Sequence, residues 1–222
     1  MKNVKVLKSV LVSNKERAAE NRKFFDRIGA FVVNVIASPG AGKTSFIGSV
    51  VARLPKDYRV LVIEGDIRGQ IDSERLAQLG IDVVQINTET ACHLDAFMIA
   101  QVLPQINGPY DLILVENVGN LVCPAEFEIG EDHKLAVLST TEGDDKPYKY
   151  PLLFHLAKVV VINKTDLLPH IDFDLKKARA GILQENPCAL IYPVSSKTGD
   201  GYEAVIAHLV KELDASKKTH TS

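Results

Sequence analysis

Two short runs carry residue types and spacing suited to nucleotide chemistry. The first is Ser38-Pro39-Gly40-Ala41-Gly42-Lys43-Thr44-Ser45, which follows a Val/Ile-rich run ending at Ala37 and precedes a helical pattern. Its glycines let successive backbone N–H groups turn toward phosphate oxygens. A helix starting at Lys43 adds partial positive charge at its N-terminus. Lys43 would reach the β- and γ-phosphates, and the Thr44 hydroxyl would ligate Mg²⁺. Pro39, Gly40, Ala41, Gly42 and Ser45 complete the expected cradle. The usual first glycine of such loops is Ala37 here. Its small side chain fits the turn if its φ is negative. The plain alternative is a Gly-rich turn without a ligand, which the strand–loop–helix context disfavours.

The second run is Asn163-Lys164-Thr165-Asp166, at the end of Val159-Val160-Val161-Ile162. Guanine offers N1–H and N2–H₂ donors on one edge, and the Asp166 carboxylate can accept both. Adenine lacks that donor pair and would leave the carboxylate unmatched. Lys164 can lay its stem over the base. Further on, Ser195-Ser196-Lys197 follows another strand-like run and is expected to bring a backbone N–H to the guanine O6. The expected ligands are therefore GTP and GDP.

Carboxylates should flank the phosphate loop. Leu61-Val62-Ile63 leads to Glu64-Gly65-Asp66, and Leu112-Ile113-Leu114-Val115 leads to Glu116-Asn117-Val118-Gly119. Acidic groups at the C-terminal ends of parallel strands sit where ligands bind in such sheets. Mg²⁺ takes few protein ligands and keeps several waters, so Thr44, Asp66 and Glu116 form the expected set. Asp72 is a further switch-region candidate. Gly119 could swing its N–H onto a γ-phosphate. Lys43, Asp66, Asp72, Glu116 and Gly119 are thus the expected catalytic group. Asp66 and Asp72 could instead simply cap or solvate a helix start.

Cys92-His93 and Cys123 offer borderline-soft donors suited to Zn²⁺ or Ni²⁺. Three ligands are one short of a closed tetrahedral site, which leaves an open position or calls for a second chain. Spacing alone leaves the alternative open, since free cysteines are common in cores. Cys188, at a strand start, reads as a small core residue.

These residues need elements to hold them. Strand-like runs fall at 30–37, 59–64, 82–87, 111–116, 135–140, 158–163 and 189–194, several nearly continuous in Val, Ile and Leu. Helical patterns at 43–53, 73–79, 93–103, 174–185 and 201–213 alternate with them. This alternation predicts an α/β fold: a three-layer P-loop NTPase G domain with a mostly parallel sheet flanked by helices. The domain spans residues 30–213. Before it, residues 1–29 carry a helix, capped by Ser13, that packs on the domain. After it, residues 214–222 read as a frayed tail. The irregular stretch 121–134 is long enough to suggest function.

Composition narrows the classes. The 222 residues are 46% hydrophobic and 24% charged, with net charge −2. A broad electrostatic grip on nucleic acid is not expected. Three cysteines do not build a disulfide framework, and no apolar run approaches the roughly 20 residues of a membrane span. No membrane partner is expected, and a cytoplasmic location is the default.

Taken together, several runs resemble the HypB family of GTPases, which assist nickel delivery to NiFe-hydrogenase precursors. They are Ser38–Ser45, Asn87-Thr88 with Cys92-His93-Leu94-Asp95-Ala96, Glu116–Ala125, Thr141–Pro147 and Asn163–Asp166. The resemblance covers nearly the whole chain. It implies a G domain that dimerises with GTP and holds metal at the interface through Cys92, His93 and Cys123. It also implies that Lys146 contacts the nucleotide of a partner subunit. Implied partners are a second copy of the chain, a small nickel-binding accessory protein and the hydrogenase large-subunit precursor. The 222 residues contain no Cys-rich N-terminal motif and no histidine-rich stretch, so a separate nickel store within them is not implied. Slow GTP hydrolysis as a metallochaperone is the leading expectation. The rivals are a urease-type nickel accessory GTPase, a guanine-nucleotide-dependent binding module with a structural metal, and an ATP-using kinase-like enzyme. Against the urease type, Cys123-Pro124 is followed by Ala125 rather than His.

Overall fold

A computed structural model describes residues 6–66, 80–88 and 90–220. Its seven strands are β1 (Phe31–Ala37), β2 (Val60–Asp66), β3 (Asp82–Asn87), β4 (Leu112–Glu116), β5 (His133–Ser139), β6 (Ala157–Asn163) and β7 (Leu190–Pro193). They form one sheet in the order β3-β2-β4-β1-β5-β6-β7, every neighbouring pair parallel. Each expected strand is present, with ends shifted by a residue or two. The α/β expectation is met.

Parallel pairing forces each strand to return through a crossover, which covers both faces of the sheet. β1 and β4 are buried at every position. One face carries α2 (Lys43–Arg53) and the C-terminal helix over Val33, Val35, Leu114 and Val161. On the other face, Phe25, Ile99 and Val102 cover Val32, Ile63 and Val115. A third cluster joins Leu138, Val160 and Ile162 to Phe154 and Ile182.

Three boundaries differ from the sequence expectation. The first helix, α1, runs Val6–Ile28, so Ser13 lies inside it and does not cap it. Val6 and Val10, like Leu7 and Leu11, are four apart, so the helical period continues upstream of Ser13. Asn14 and Asn21, both buried, lie two turns apart on the face that packs inward. The helical pattern expected from His93 gives a helix α3 at Ala96–Val102, where the Asp95 carboxylate caps the Met98 N–H at 2.8 Å. His93 is therefore a loop residue. The last helix, here α8, runs Tyr202–His220, so residues 214–220 are helical where a frayed tail was expected. Asp214 accepts from the Tyr58 hydroxyl at 2.6 Å, and Lys217 pairs with Asp111 at 2.8 Å, which ties that last stretch to the domain.

Between β4 and β5 the irregular stretch contains a short helix, α4 (Cys123–Glu126). After β5 come two short helices absent from the expectation, α5 (Lys146–Lys149) and α6 (Pro151–Leu156), each with proline in its first turn. The expected helix at 174–185 is α7 (Leu175–Glu185), capped by Asp174. The helical pattern at 73–79 lies outside the described residues. No described helix is long and apolar enough to cross a membrane.

Candidate nucleotide and metal sites

The phosphate loop leaves β1, the strand between β4 and β5, at the point where neighbouring connections diverge. Ala37 is the last strand residue and keeps a negative φ, so the missing first glycine costs no strain. Gly40 and Gly42 are both left-handed, at φ 75° and 95°. No side chain caps the start of α2, and a helix N-terminus is where an anion is favoured. The Thr44 hydroxyl donates to Glu116 Oε1 at 2.8 Å. A cleft of about 420 Å³ is lined by Pro39, Gly40, Gly42, Lys43, Thr44, Ser45, Glu64, Glu116 and Gly119. Glu64 and Glu116 are opposite each other in the β2–β4 register, and both are buried. Asp66 closes β2, but its side chain is not described, and Asp72 lies outside the described residues. Glu64 is thus a wall residue of the cleft that the sequence expectation left out. Its signal was present, one carboxylate two residues before Asp66 in an otherwise apolar strand.

A larger cavity of about 780 Å³ adjoins the loop and is lined in part by Asn163, Lys164, Asp166, Ser196 and Lys197. The Asn163 amide ties its walls together. Its Nδ2 donates to Ala41 O at 3.1 Å, and its Oδ1 accepts from Lys164 N, Ser196 N and Ser196 Oγ at 2.8, 3.2 and 3.0 Å. A Cβ on Gly42 would fall 2.6 Å from that same Nδ2. Lys164 takes a left-handed conformation, φ 63°, a cost of about 1 kcal/mol or more for a residue with a Cβ. Its carbonyl accepts from Thr140 Oγ1 at 2.8 Å and its ammonium donates to Gly40 O at 2.7 Å, which hold it there. Ser195 Oγ donates to Asp166 Oδ1 at 2.6 Å and fixes the carboxylate that would read the base. Ser195 and Ser196 already donate their backbone N–H groups, to Asp200 O and Asn163 Oδ1. Lys197 lines the cavity and Ser195 does not.

The structure brings Cys92, His93 and Cys123 together, with one donor atom from each within 4.8 Å of the others. The two sulfurs are 3.2 Å apart, and His93 Nδ1 is 3.5 Å from Cys92 Sγ. Burial pushes the His93 imidazole below its ordinary range, against the opposing charge of Asp95, and so favours the neutral form that a metal needs. The Cys123 thiol is pushed up by its hydrogen bond to Cys92, then by burial and by the charge Cys92 would carry. Metal binding takes thiols as thiolates, and a divalent cation seated beside the two sulfurs would offset their charge. His93 Nε2 is buried without a hydrogen-bond partner, and its ring packs 4.1 Å from that of Phe127. The donor set fits Ni²⁺ or Zn²⁺ with three protein ligands per chain.

The phosphate and metal regions adjoin. Gly119 packs on Pro39, where a Cβ would stand 3.0 Å from three Pro39 atoms, and Cys123 follows four residues later. The Asn117 side chain accepts from Leu94 N at 2.9 Å, one residue past His93. Asn117 was not among the expected site residues.

Two other residues singled out in the sequence lie outside these sites. Lys146 starts α5 with its ammonium 5.1 Å from the Tyr150 ring centre, away from both cavities of its own chain. Cys188 is exposed, not a core residue, because the Asn186 side chain bonds its N–H and turns the chain outward before β7.

Comparison with known proteins gives consistent matches. The family described as CobW/HypB/UreG, nucleotide-binding domain, matches residues 31–193. Hydrogenase maturation factor HypB of Rhizobium leguminosarum bv. viciae is 44% identical over 216 residues, covering 97% of this chain and 72% of the relative. A probable HypB of Methanocaldococcus jannaschii is 36% identical, with 96% of each chain covered. The crystal structure of HypB from Helicobacter pylori in complex with nickel superposes with TM-score 0.87 at 33% identity, covering 91% of this chain and 96% of that one.

Proposed function

This chain belongs to the HypB hydrogenase maturation factors of the CobW/HypB/UreG family, and from that premise we propose that it is a GTP-hydrolysing metallochaperone that moves nickel toward a NiFe-hydrogenase precursor. The observation that carries the proposal is adjacency: a thiol–imidazole–thiol cluster stands a few residues beyond a glycine packed on the phosphate loop.

In this reading the base enters the larger cavity against Asp166, and the phosphates lie along Gly40–Ser45 at the mouth of α2. Mg²⁺ would be held by Thr44 and Glu116 with water completing its shell, and Asp66 or Asp72 would orient the attacking water. The γ-phosphate would reorganise Val118-Gly119. Hydrolysis would relax that contact and change the geometry at Cys123, so nickel is a cargo whose hold depends on the nucleotide. The open fourth position suits a metal that must leave. GTP would also favour a dimer in which Lys146, turned away from its own cavity, meets the nucleotide of the partner. A small nickel-binding accessory protein would exchange metal with the site in the cytoplasm.

Calorimetry on Cys123→Ser tests the division of labour. Nickel affinity should fall at least tenfold while GDP affinity stays within twofold. Equal loss of both would refute it. Size-exclusion with a GTP analogue, with and without Ni²⁺, tests the dimer.

A further inference from the structure

β1 reads Phe-Val-Val-Asn-Val-Ile-Ala and is buried throughout, so its one polar residue, Asn34, needs partners in the core. A buried amide left unmatched destabilises the fold. Its Oδ1 accepts from Asn117 Nδ2 at 3.0 Å, and its Nδ2 donates to Glu131 Oε1 at 3.4 Å. From these two contacts the network runs outward in both directions.

On one side, Asn117 is fully buried and follows Glu116, which accepts the Thr44 hydroxyl. Its Oδ1 accepts from Val118 N at 3.0 Å and Leu94 N at 2.9 Å. The Leu94 side chain in turn rests on Gly65 of β2, where a Cβ would fall 2.5 Å from it. The Cys92-His93 pair therefore hangs from Asn117. On the other side, Glu131 pairs with Lys134 at 2.8 Å, and both side chains are under a tenth exposed. Lys134 Nζ donates to Pro124 O at 3.2 Å and Phe127 O at 3.1 Å, one carbonyl inside the short Cys123 helix and one just past its end. The second Glu131 oxygen accepts from Ile129 N at 2.7 Å.

Both halves of the metal cluster are thus fastened to one buried polar chain, Leu94–Asn117–Asn34–Glu131–Lys134–Pro124/Phe127, whose Asn117 belongs to the segment that contacts the phosphate loop. We propose that Asn34 is a positioning residue through which a shift of Asn117 on GTP binding reaches Cys123 from behind as well as along the chain. The two halves also meet at the front, through the sulfur contact and through Asn120, which donates to Cys92 O at 3.3 Å and accepts from Val122 N at 2.9 Å. Without Asn34 only that front tie would remain, and the nucleotide would lose at least half of its hold on the metal. This inference rests on the nucleotide-dependent metal site proposed above.

The test is linkage. Nickel affinity is measured against a chromogenic chelator, in wild type and Asn34→Val, with GDP and with a non-hydrolysable GTP analogue. The ratio of the two nickel affinities reads the coupling directly. In the variant that ratio should fall to its square root or below, with GDP affinity within threefold of wild type and the thiolate-to-nickel absorption retained. A ratio equal to the wild type's would overturn the proposal. A wild-type ratio near one would refute the nucleotide-dependent site itself, and this inference with it. If Asn34→Val does not fold, hydrogen exchange in wild type decides. Exchange of the GTP analogue for GDP should change protection in peptides covering 92–97 and 129–135 together. A change confined to 92–97 would sink the idea.

Discussion

Truncating Asn163 to alanine should show how much of the nucleotide site depends on a single amide. The side chain is 1% exposed and ends four hydrogen bonds. Ser196 Oγ keeps a second contact, with the Tyr202 hydroxyl at 2.7 Å. Ala41 O, Lys164 N and Ser196 N lose their Asn163 contact. At about 1 kcal/mol each, the low end because the adjoining cavity admits water, the loss is about 3 kcal/mol. In a chain of this length that lowers Tm by about 6–12 °C. The same three groups belong to the phosphate loop, the Lys164 segment and the Ser196 loop, so the binding surface also loses registration. If half of the loss appears in binding, GDP affinity weakens by about tenfold. Scanning calorimetry and displacement of a fluorescent GDP analogue read the two effects. Asn163→Asp keeps the acceptor oxygen but sets its second oxygen against Ala41 O, acceptor facing acceptor in a buried position, and should lower Tm at least as much as alanine. An alanine variant within 2 °C or so of wild type, binding GDP within threefold, would refute the view that this amide braces the site.

Three further outcomes follow from the same geometry. Asp166→Asn should lower GTP affinity at least tenfold and narrow the preference over ATP, measured by competition; an unchanged preference would remove Asp166 from the base-reading role. Gly42→Ala should abolish tight nucleotide binding, since its Cβ meets Asn163 Nδ2 and its φ of 95° disfavours any side chain; GDP binding within threefold of wild type would contradict that. Finally, burial first, and then the Lys158 ammonium beside it, push the His133 imidazole down to about 4. Because this lies below its unfolded value of about 6.5, protons favour the unfolded chain. The stability due to a neutral His133 is complete above about pH 6.5 and is lost as pH falls toward 4. Urea midpoints should therefore drop less steeply over that window in His133→Gln than in wild type, and parallel slopes would argue against it.

The sequence by itself determined the sheet and the nucleotide loops. Runs such as Leu112–Val115 and Val159–Ile162 are apolar on both faces, as covered strands are, and their alternation with helical patterns points to a parallel sheet. Glycines at 40 and 42 and the Asn163–Asp166 run announce their chemistry locally, because loop conformation and donor pattern depend on a few adjacent residues. The Ala37 substitution was readable too, since a strand end needs no glycine. Helix limits were less legible: α8 extends past its expected end because distant partners, Tyr58 and Asp111, hold it, while α1 starts upstream of Ser13, where the helical period continues. Tertiary structure alone decided three things. It placed Cys92 31 residues away in sequence and 3.2 Å away in space from Cys123. It sent Lys146 away from its own cavities and left Cys188 exposed. Above all it gave Asn34, Asn117, Glu131 and Lys134 their roles. A buried polar group takes whatever partner the packing brings within about 3 Å, and sequences nearly a hundred residues apart do not record that distance.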